Sequence, residues 1–275
     1  MLLQIAWRNI WRSRTRSLVV IGAVLIGVWS ILFIVAFSSA IVGGYVKKAI
    51  QNETSHYQLH HPDFVEDKEI KFLLDNPAAT LTKIEENSLV QSATLRTVVS
   101  GMLRSSRGAR GVMIKGVDPE KERIVTAFDT QIVDVKYFSK DKKNEILISQ
   151  ESADKLKLKI RKKVVVQFQD VNNDIIAGAF RIVGIYKTGN KLFDQSNIMV
   201  KRTDLNRLIG QIGVAHEVAV VLTNKEVLIP TGDELKSAFP NLLVQNYREI
   251  SPEVQLYESQ IDISQHLNYY IENTL

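Results

Sequence analysis

The hydrophobic and polar positions of the chain divide it sharply near residue 46. From Ser17 to Val46 the sequence contains no Asp, Glu, Lys, Arg or His. The mostly apolar stretch from Leu18 to Phe37, taken as a helix, is long enough to cross a hydrocarbon layer of about 30 Å. The run therefore predicts a transmembrane helix over residues 17–46.

The charges on either side of this run predict its orientation. Lys47 and Lys48 follow it, whereas four arginines precede it: Arg8, Arg12, Arg14 and Arg16. Because the more basic flank stays in the cytoplasm, we expect a cytoplasmic amino terminus and an extracytoplasmic remainder. Trp7 and Trp11 suit the inner membrane interface, and residues 1–16 predict a basic amphipathic segment along that surface.

A secretory signal peptide is the alternative interpretation of the same run. Small residues at positions 38–40 offer a peptidase a cleavage site, and the preceding positive charges fit. The apolar core, however, is longer than the roughly 7–15 residues of such signals, which favours a retained anchor.

Small residues within the helix predict a packing surface. Ala23, Gly27 and Ser30 recur at i, i+4 and i+7, and small side chains allow two helices to approach closely in lipid. Membrane helices contain many small residues in any case, so the pattern leaves both interpretations open.

Beyond residue 47, short stretches in which apolar and polar residues alternate, as in strands, are interspersed with short helical patterns. This mixture predicts an α+β domain. A strand at 55–61 ends at Pro62, a hairpin covers 90–118, and residues 144–170 follow a strand–helix–strand order. A turn at 171–174 joins two strands. Further elements are predicted at the following positions: a strand and helix over 197–210, a strand at 216–223, a helix at 231–239 and a strand at 242–247.

The two ends of this domain share one pattern. Residues 53–100 and residues 214–250 each follow a strand–helix–strand order. Two such pieces are what the halves of one split sheet would look like, with the middle of the chain inserted between them.

Charge and composition exclude several function classes. The chain has 35 basic and 30 acidic residues, and the first 46 residues contain four of the arginines and no acid. The remainder is almost balanced, so no nucleic-acid partner is expected. The chain lacks cysteine, which excludes disulfides, thiolate metal sites and thiol catalysis within it.

No nucleotide-binding or hydrolytic motif is complete. GIYKTGNK, residues 184–191, has the glycine spacing of a phosphate-binding loop, but Asn190 interrupts the lysine position and Leu192 replaces the Ser or Thr. It favours a strand and turn. The chain has neither a G-x-S-x-G elbow nor an H-E-x-x-H motif, so we expect no enzyme, no cofactor and no catalytic residue.

The histidines and one acidic run are the remaining candidates for metal binding. His56 and His60 would share one face of a strand, but a third ligand at suitable spacing is missing. A polar strand edge is the favoured interpretation for them, and likewise for His61, His216 and His266. An acidic run after Pro62 is typical of a solvated loop, with calcium as the alternative: Asp63, Glu66, Asp67 and Glu69.

Several stretches, in order along the chain, resemble one family. They are IAWRNIWRSRTRSL, SHYQLHHPDF, IKGVDPEKE, FRIVGIYKTGNKLFDQSNIMV and VQNYREISPEVQ. Together they resemble the FtsX-like permease subunits of ABC transporters, most closely the lipoprotein-releasing LolC/LolE and MacB-type members. Tyr247 stands where tryptophan is commoner in that family.

The resemblance implies a non-enzymatic permease subunit of the bacterial inner membrane. Its implied partners are a cytoplasmic ATPase that binds ATP and Mg, a second permease copy or paralogue, the bilayer, and a lipoprotein or periplasmic carrier. It also implies a division of the outer domain: a porter-like part over 47–105 and 213–262, an inserted sabre-like part over 106–212, and a lead-in to a second transmembrane helix over 263–275.

The family has three more transmembrane helices after the outer domain, whereas the sequence stops at Leu275. We therefore expect either a truncated sequence or a shortened protein. Two other function classes stay open: a single-span sensor or adaptor whose outer domain binds a ligand or protein, and an exported enzyme held by its signal anchor.

Overall fold

A computed structural model of the chain describes residues 14–49, 54–135, 137–224, 227–251 and 255. The described residues divide into two units, one ending at residue 46 and the other covering residues 47–255. We describe the amino-terminal helix and the outer domain, residues 54–251, separately.

The amino-terminal helix, α1, spans Arg14–Ala49. Its stretch Arg14–Ile41 is long and apolar enough to cross a membrane, and none of that apolar window is buried. The helix thus includes Arg14 and Arg16, which lay just before the predicted span. Arginine is a good helix former, so the helix continues into the basic flank. Trp7, Arg8, Trp11 and Arg12 lie outside the described residues.

The outer domain consists of short strands and helices. The strands are β1 (Tyr57–His60), β2 (Val90–Ser105), β3 (Gly108–Val117), β4 (Ile132–Val135), β5 (Glu145–Ser149), β6 (Lys163–Gln169), β7 (Ile175–Tyr186), β8 (Asn197–Lys201), β9 (Glu217–Leu222) and β10 (Leu243–Asn246). The helices are α2 (Pro77–Glu85), α3 (Pro119–Thr126), α4 (Gln150–Leu156), α5 (Lys191–Ser196), α6 (Arg202–Ile209), α7 (Leu228–Ala238) and α8 (Tyr247–Ile250).

Strands from both ends of the domain form one antiparallel sheet, in the order β10–β1–β9–β2. β1 and β2 come from the first stretch of the domain, and β9 and β10 come from the last. The predicted split sheet and the α+β class are therefore confirmed. The residue limits that we assigned to the porter-like and sabre-like parts stay predictions.

The inserted strands form a closed barrel. β2 pairs with β3, β3 with β8, β8 with β5, β5 with β7, β7 with β6, and β6 again with β2. Closure removes the free edges of these six strands. Their inward side chains form one apolar core, which includes Val99, Ile114, Ile146, Val166 and Ile182.

β2 is common to the sheet and the barrel. Residues 90–96 pair with β9, and residues 97–105 pair with β3. The strand therefore changes partner between Arg96 and Thr97. We call the buried residues around this point the junction.

Most predicted strands and helices are present, including the β2–β3 hairpin and the turn between β6 and β7. The expected strand and turn at GIYKTGNK are also confirmed, since β7 ends at Tyr186 and Gly189 has a φ of +87°. The short elements α3, β4, α5 and α8 were not predicted. Local caps stabilise the three helices, because the side chains of Asp118, Asn190 and Asn246 accept hydrogen bonds from their first turns.

The prediction that His56, His60 and His216 lie on a polar strand edge was wrong; His61 follows β1 and is half-buried, and His266 lies outside the described residues. β1 is an inner strand, paired with β10 on one side and β9 on the other. His60 is 5% exposed, and His216 is fully buried beside Phe64, with a ring-centroid distance of 5.0 Å. The sequence suggested an edge because polar residues alternate in β1, but both neighbouring strands cover it.

Closure of the barrel requires glycine at position 101. A Cβ there would lie 2.5 Å from the Gln167 carbonyl oxygen and 2.6 Å from Ile114 Cδ1. Gly101→Ala should therefore lower the free energy of unfolding by about 1–3 kcal/mol, because the β2–β6 pairing must shift. Thermal unfolding of the full chain in detergent measures the change.

The matched control is Gly111→Ala on β3, where a Cβ would meet nothing within 4 Å. We expect this variant to stay within about 0.5 kcal/mol of the parent. Equal losses in the two variants would contradict the steric explanation.

Candidate functional site

The junction contains three consecutive buried residues of β2, namely Arg96, Thr97 and Val98. They are between 0% and 4% exposed. Each has a hydrogen-bond partner outside β2, so a large part of the polar contact between the sheet and the barrel lies here.

Arg96 binds a pair of carboxylates from two other elements, α3 and β9. Its Nε and Nη2 donate to the two oxygens of Glu122 on α3, at 3.1 and 2.8 Å, and its Nη1 donates to Glu217 on β9 at 2.6 Å. The contact with Glu122 is bidentate, the arrangement in which guanidinium and carboxylate groups bind most specifically. Thr126 also donates to Glu122, at 3.1 Å.

The electrostatics of this cluster depend on the guanidinium. Burial by itself would raise the pKa of Glu217, but the positive charge of Arg96 lowers it below its ordinary value of 4.5. Burial opposes the charged form of Arg96 too, yet the two carboxylates raise its pKa. Arg96 and Glu217 thus stabilise each other's charged forms, and removing Arg96 would leave two carboxylates buried without a compensating cation.

The next two residues satisfy their polar groups from other elements. Thr97 donates to the Asn206 side chain on α6 at 2.7 Å. The Val98 N–H donates to His216 Nδ1 at 3.2 Å, and His216 Nε2 lies 3.1 Å from the Ile70 carbonyl. Burial lowers the pKa of His216 to about 4, so the ring is neutral and both its nitrogens are used.

A cleft of about 390 Å³ lies in front of the junction. The sheet contributes His60 and Glu217 to its lining, β3 of the barrel contributes Met113 and Lys115, and α5 contributes Phe193. Aromatic and aliphatic surfaces thus alternate with charged groups, as is usual for sites that bind amphipathic molecules.

The histidines make structural hydrogen bonds. His56 Nδ1 accepts from the Leu222 N–H at 3.1 Å, and His60 Nε2 lies 3.2 Å from Gln58 Oε1. Within the described part of the chain no three His, Cys, Asp or Glu side chains are grouped as metal ligands. The acidic run Asp63–Glu69 is exposed apart from Phe64, and Glu69 pairs with Lys71 at 2.6 Å.

The predicted site residues that the structure describes lie on α1. Arg14 and Arg16 are exposed near its start, and the face with Ala23, Gly27 and Ser30 is uncovered in this chain. Ser30 Oγ donates to the Ile26 carbonyl at 2.7 Å. Their roles in orientation and helix packing stay predictions.

Sequence reasoning missed the junction. Its one sequence signal is the arginine in the stretch ATLRTVVSG, whose other residues are apolar or small. A strand covered on both faces cannot hold an unpaired charge, so this arginine predicts a buried acidic partner. Glu122 and Glu217 are distant in sequence, and only the fold brings them together.

Arg96→Met should reveal the dependence of the cluster on one cation. We expect the variant to lose about 3–5 kcal/mol of unfolding free energy at neutral pH, because two carboxylates remain buried. In the parent, the Glu217 contribution is present above pH 4.5 and is lost as the pH falls toward its lowered pKa. In the variant, burial would raise the pKa of Glu217, so stability should instead fall as the pH rises.

Denaturant unfolding of the full chain from about pH 2.5 to pH 8 measures this reversal, since the parent loses the Glu217 contribution only below pH 4.5. Arg104→Met, which removes an exposed arginine of the same strand, is the control and should leave the pH profile unchanged. The triple variant Arg96→Met, Glu122→Gln, Glu217→Gln should recover part of the loss. A parallel pH profile for parent and Arg96→Met would contradict the proposed charge balance.

Comparison with known proteins identifies this architecture. The model of the MacB-like periplasmic core domain matches residues 17–238. The crystal structure of the periplasmic region of MacB from Actinobacillus actinomycetemcomitans is similar, with a TM-score of 0.52 and 13% identity over 75% of this chain and 95% of that one.

A second similar structure is the extracellular domain of the noncanonic ABC-type transporter YknZ from Gram-positive bacteria. Its TM-score is 0.48, with 18% identity over 70% of this chain and 99% of that one. A search of the curated proteins finds no match. Because the family model covers most of its length, the chain belongs to the family of proteins with a MacB-like periplasmic core domain, the permease-type proteins of ABC transporters.

Proposed function

We propose that the chain is a permease subunit that couples ATP hydrolysis by a separate cytoplasmic ATPase to movement of an amphipathic substrate outside the membrane. A lipoprotein is the substrate class that the resemblance to LolC/LolE favours. The subunit would lie in the inner membrane with its amino terminus in the cytoplasm. It would pair with a second permease copy or paralogue and deliver substrate to a periplasmic carrier.

Three observations support this proposal. The chain belongs to a family of ABC transporter permease-type proteins, which lack an ATPase site of their own. An apolar helix precedes the outer domain and supplies the membrane anchor. The cleft beside the junction combines aromatic, aliphatic and charged surfaces, which suits an amphipathic ligand better than a purely polar one.

The junction is the observation that carries the mechanical part of the proposal. A domain that transmits movement must not bend where its two sections meet. Here the two sections share β2, and two further contacts fix the elements around the point where that strand changes partner: the buried ion triad, and the apolar contact of Val125 on α3 with Ala219 and Val221 on β9. A displacement of the sheet would therefore carry the barrel with it.

Purification from the native host tests the ATPase partnership. The chain, tagged at its chromosomal locus and extracted in mild detergent, should bring down a protein with Walker and ABC signature motifs in near-equal amount. Arg96→Met should reduce transport by the complex without reducing ATPase recovery. Purification without any such ATPase would instead support a single-span sensor or adaptor.

The basic flank should set the orientation of α1. Replacing Arg8, Arg12, Arg14 and Arg16 by Gln should cause part of the population to invert or fail to insert, since the positive charge that retains the flank in the cytoplasm is gone. A reporter fused after residue 50, active only outside the cytoplasm, measures this. The control replaces Lys47 and Lys48 on the outer flank by Gln and should keep full reporter activity, and full reporter activity in the arginine variant as well would rule out the topological role.

A further inference from the structure

A second cavity, of about 510 Å³, lies on the outer side of the barrel beside β5 and β7. Its volume is within the range of small-molecule sites. Four basic residues line it, namely Lys142, Lys143, Arg161 and Arg181. All four are exposed, and the ion pairs of the described residues include none of them.

A buried carboxylate forms part of the cavity wall. Glu145 is 2% exposed, and its Oε2 accepts from the Ser139 N–H at 2.7 Å and lies 3.6 Å from Lys201 Nζ. Its other oxygen, Oε1, is buried without a hydrogen-bond partner among the described residues. An acceptor in that state is stabilised when a ligand supplies a donor.

The loop and strands around Glu145 are held in place by the fold. Lys201 Nζ donates to the carbonyls of Ser139 and Lys142, which fixes the loop that presents the two lysines. Arg181 lies directly across from Glu145 on one side and from Lys163 on the other. Residues opposite one another in neighbouring strands share a face, so Arg181 lies on the same face of the strands as Glu145.

Arg161 is positioned in an uncommon backbone conformation. Its φ is +69°, and its N–H donates to the Ile182 carbonyl at 2.8 Å. A left-handed conformation at a residue other than glycine persists only where the surroundings hold it. The fold thus fixes the backbone of Arg161, one of the four basic residues that line the cavity.

We propose that this cavity binds a phosphorylated headgroup that also bears a hydroxyl group. The phosphate would lie among the four cations, and the hydroxyl would donate to Glu145 Oε1. A simple anion would leave that oxygen without a donor, and a cationic amine would be repelled by the four side chains. The proposal does not depend on the ATPase partnership.

Glycerol 1-phosphate is the soluble probe, and short-chain phosphatidylglycerol below its micelle concentration is the lipid probe. Both contain phosphate and hydroxyl groups. Calorimetric titration of the full chain in phosphatidylcholine nanodiscs should detect binding of at least one. Binding of both, or of the soluble probe alone, indicates headgroup recognition in general, whereas binding of the lipid probe alone indicates a lipid headgroup.

Variants of the residues that line the cavity distinguish specific binding in the cavity from general electrostatic attraction to the protein surface. Lys142→Gln/Lys143→Gln, and separately Arg181→Gln, should weaken binding about tenfold or more, since each removes a charge-assisted contact. Lys157→Gln/Lys159→Gln removes two exposed lysines that do not line the cavity, and it should change the affinity less than about threefold. All these residues are exposed, so the variants should unfold at the parental temperature.

The role of Glu145 is tested with n-propyl phosphate, which has the carbon count of glycerol 1-phosphate but lacks its hydroxyls. The parent should bind glycerol 1-phosphate more tightly than n-propyl phosphate, and Glu145→Gln should reduce this difference in affinity. No binding of either glycerophosphate probe at millimolar concentration would overturn the proposal. An equal loss of affinity in the cavity variants and in the Lys157/Lys159 control would overturn the proposal as well. So would an unchanged affinity in the cavity variants.

Discussion

The outer domain depends on one buried guanidinium at the place where a strand changes partners. β2 leaves the split sheet after Arg96 and enters the barrel at Thr97. Beyond that point β9 no longer satisfies the backbone of β2, so the His216 ring accepts the Val98 N–H instead. Arg96, the last residue of β2 paired with β9, compensates two buried carboxylates, one on α3 and one on β9. Without it, the same burial that makes the domain compact would oppose folding.

This arrangement explains why the connection between the sheet and the barrel is stiff. A hinge requires exposed backbone and few buried contacts, whereas the junction combines ladder hydrogen bonds, charge-assisted bonds and apolar packing. The adjacent cleft is lined by both sections, so its shape is fixed by the same residues. The geometry therefore suits a domain that moves as one body around a preformed cleft.

The local elements could be predicted from the sequence, and their assembly only in part. Alternation and turn residues indicated most strands, and the matching order at the two ends of the domain indicated the split sheet. Closure of the barrel could not be predicted, because it requires β6 to meet β2 across sixty residues of sequence. β1 was mistaken for an edge strand, since His56, Gln58 and His60 read as solvent-facing although β9 and β10 enclose them.

The nearly balanced charge of the residues after 46 conceals an uneven distribution within the fold. The junction buries two carboxylates against one guanidinium, whereas the barrel cavity gathers four cations against a carboxylate that Lys201 already approaches. A net charge near zero argued against nucleic acid as a partner, and that argument concerns the domain as a whole. Local fields depend on which charges the fold brings together, so a balanced domain can still present a cavity suited to an anion.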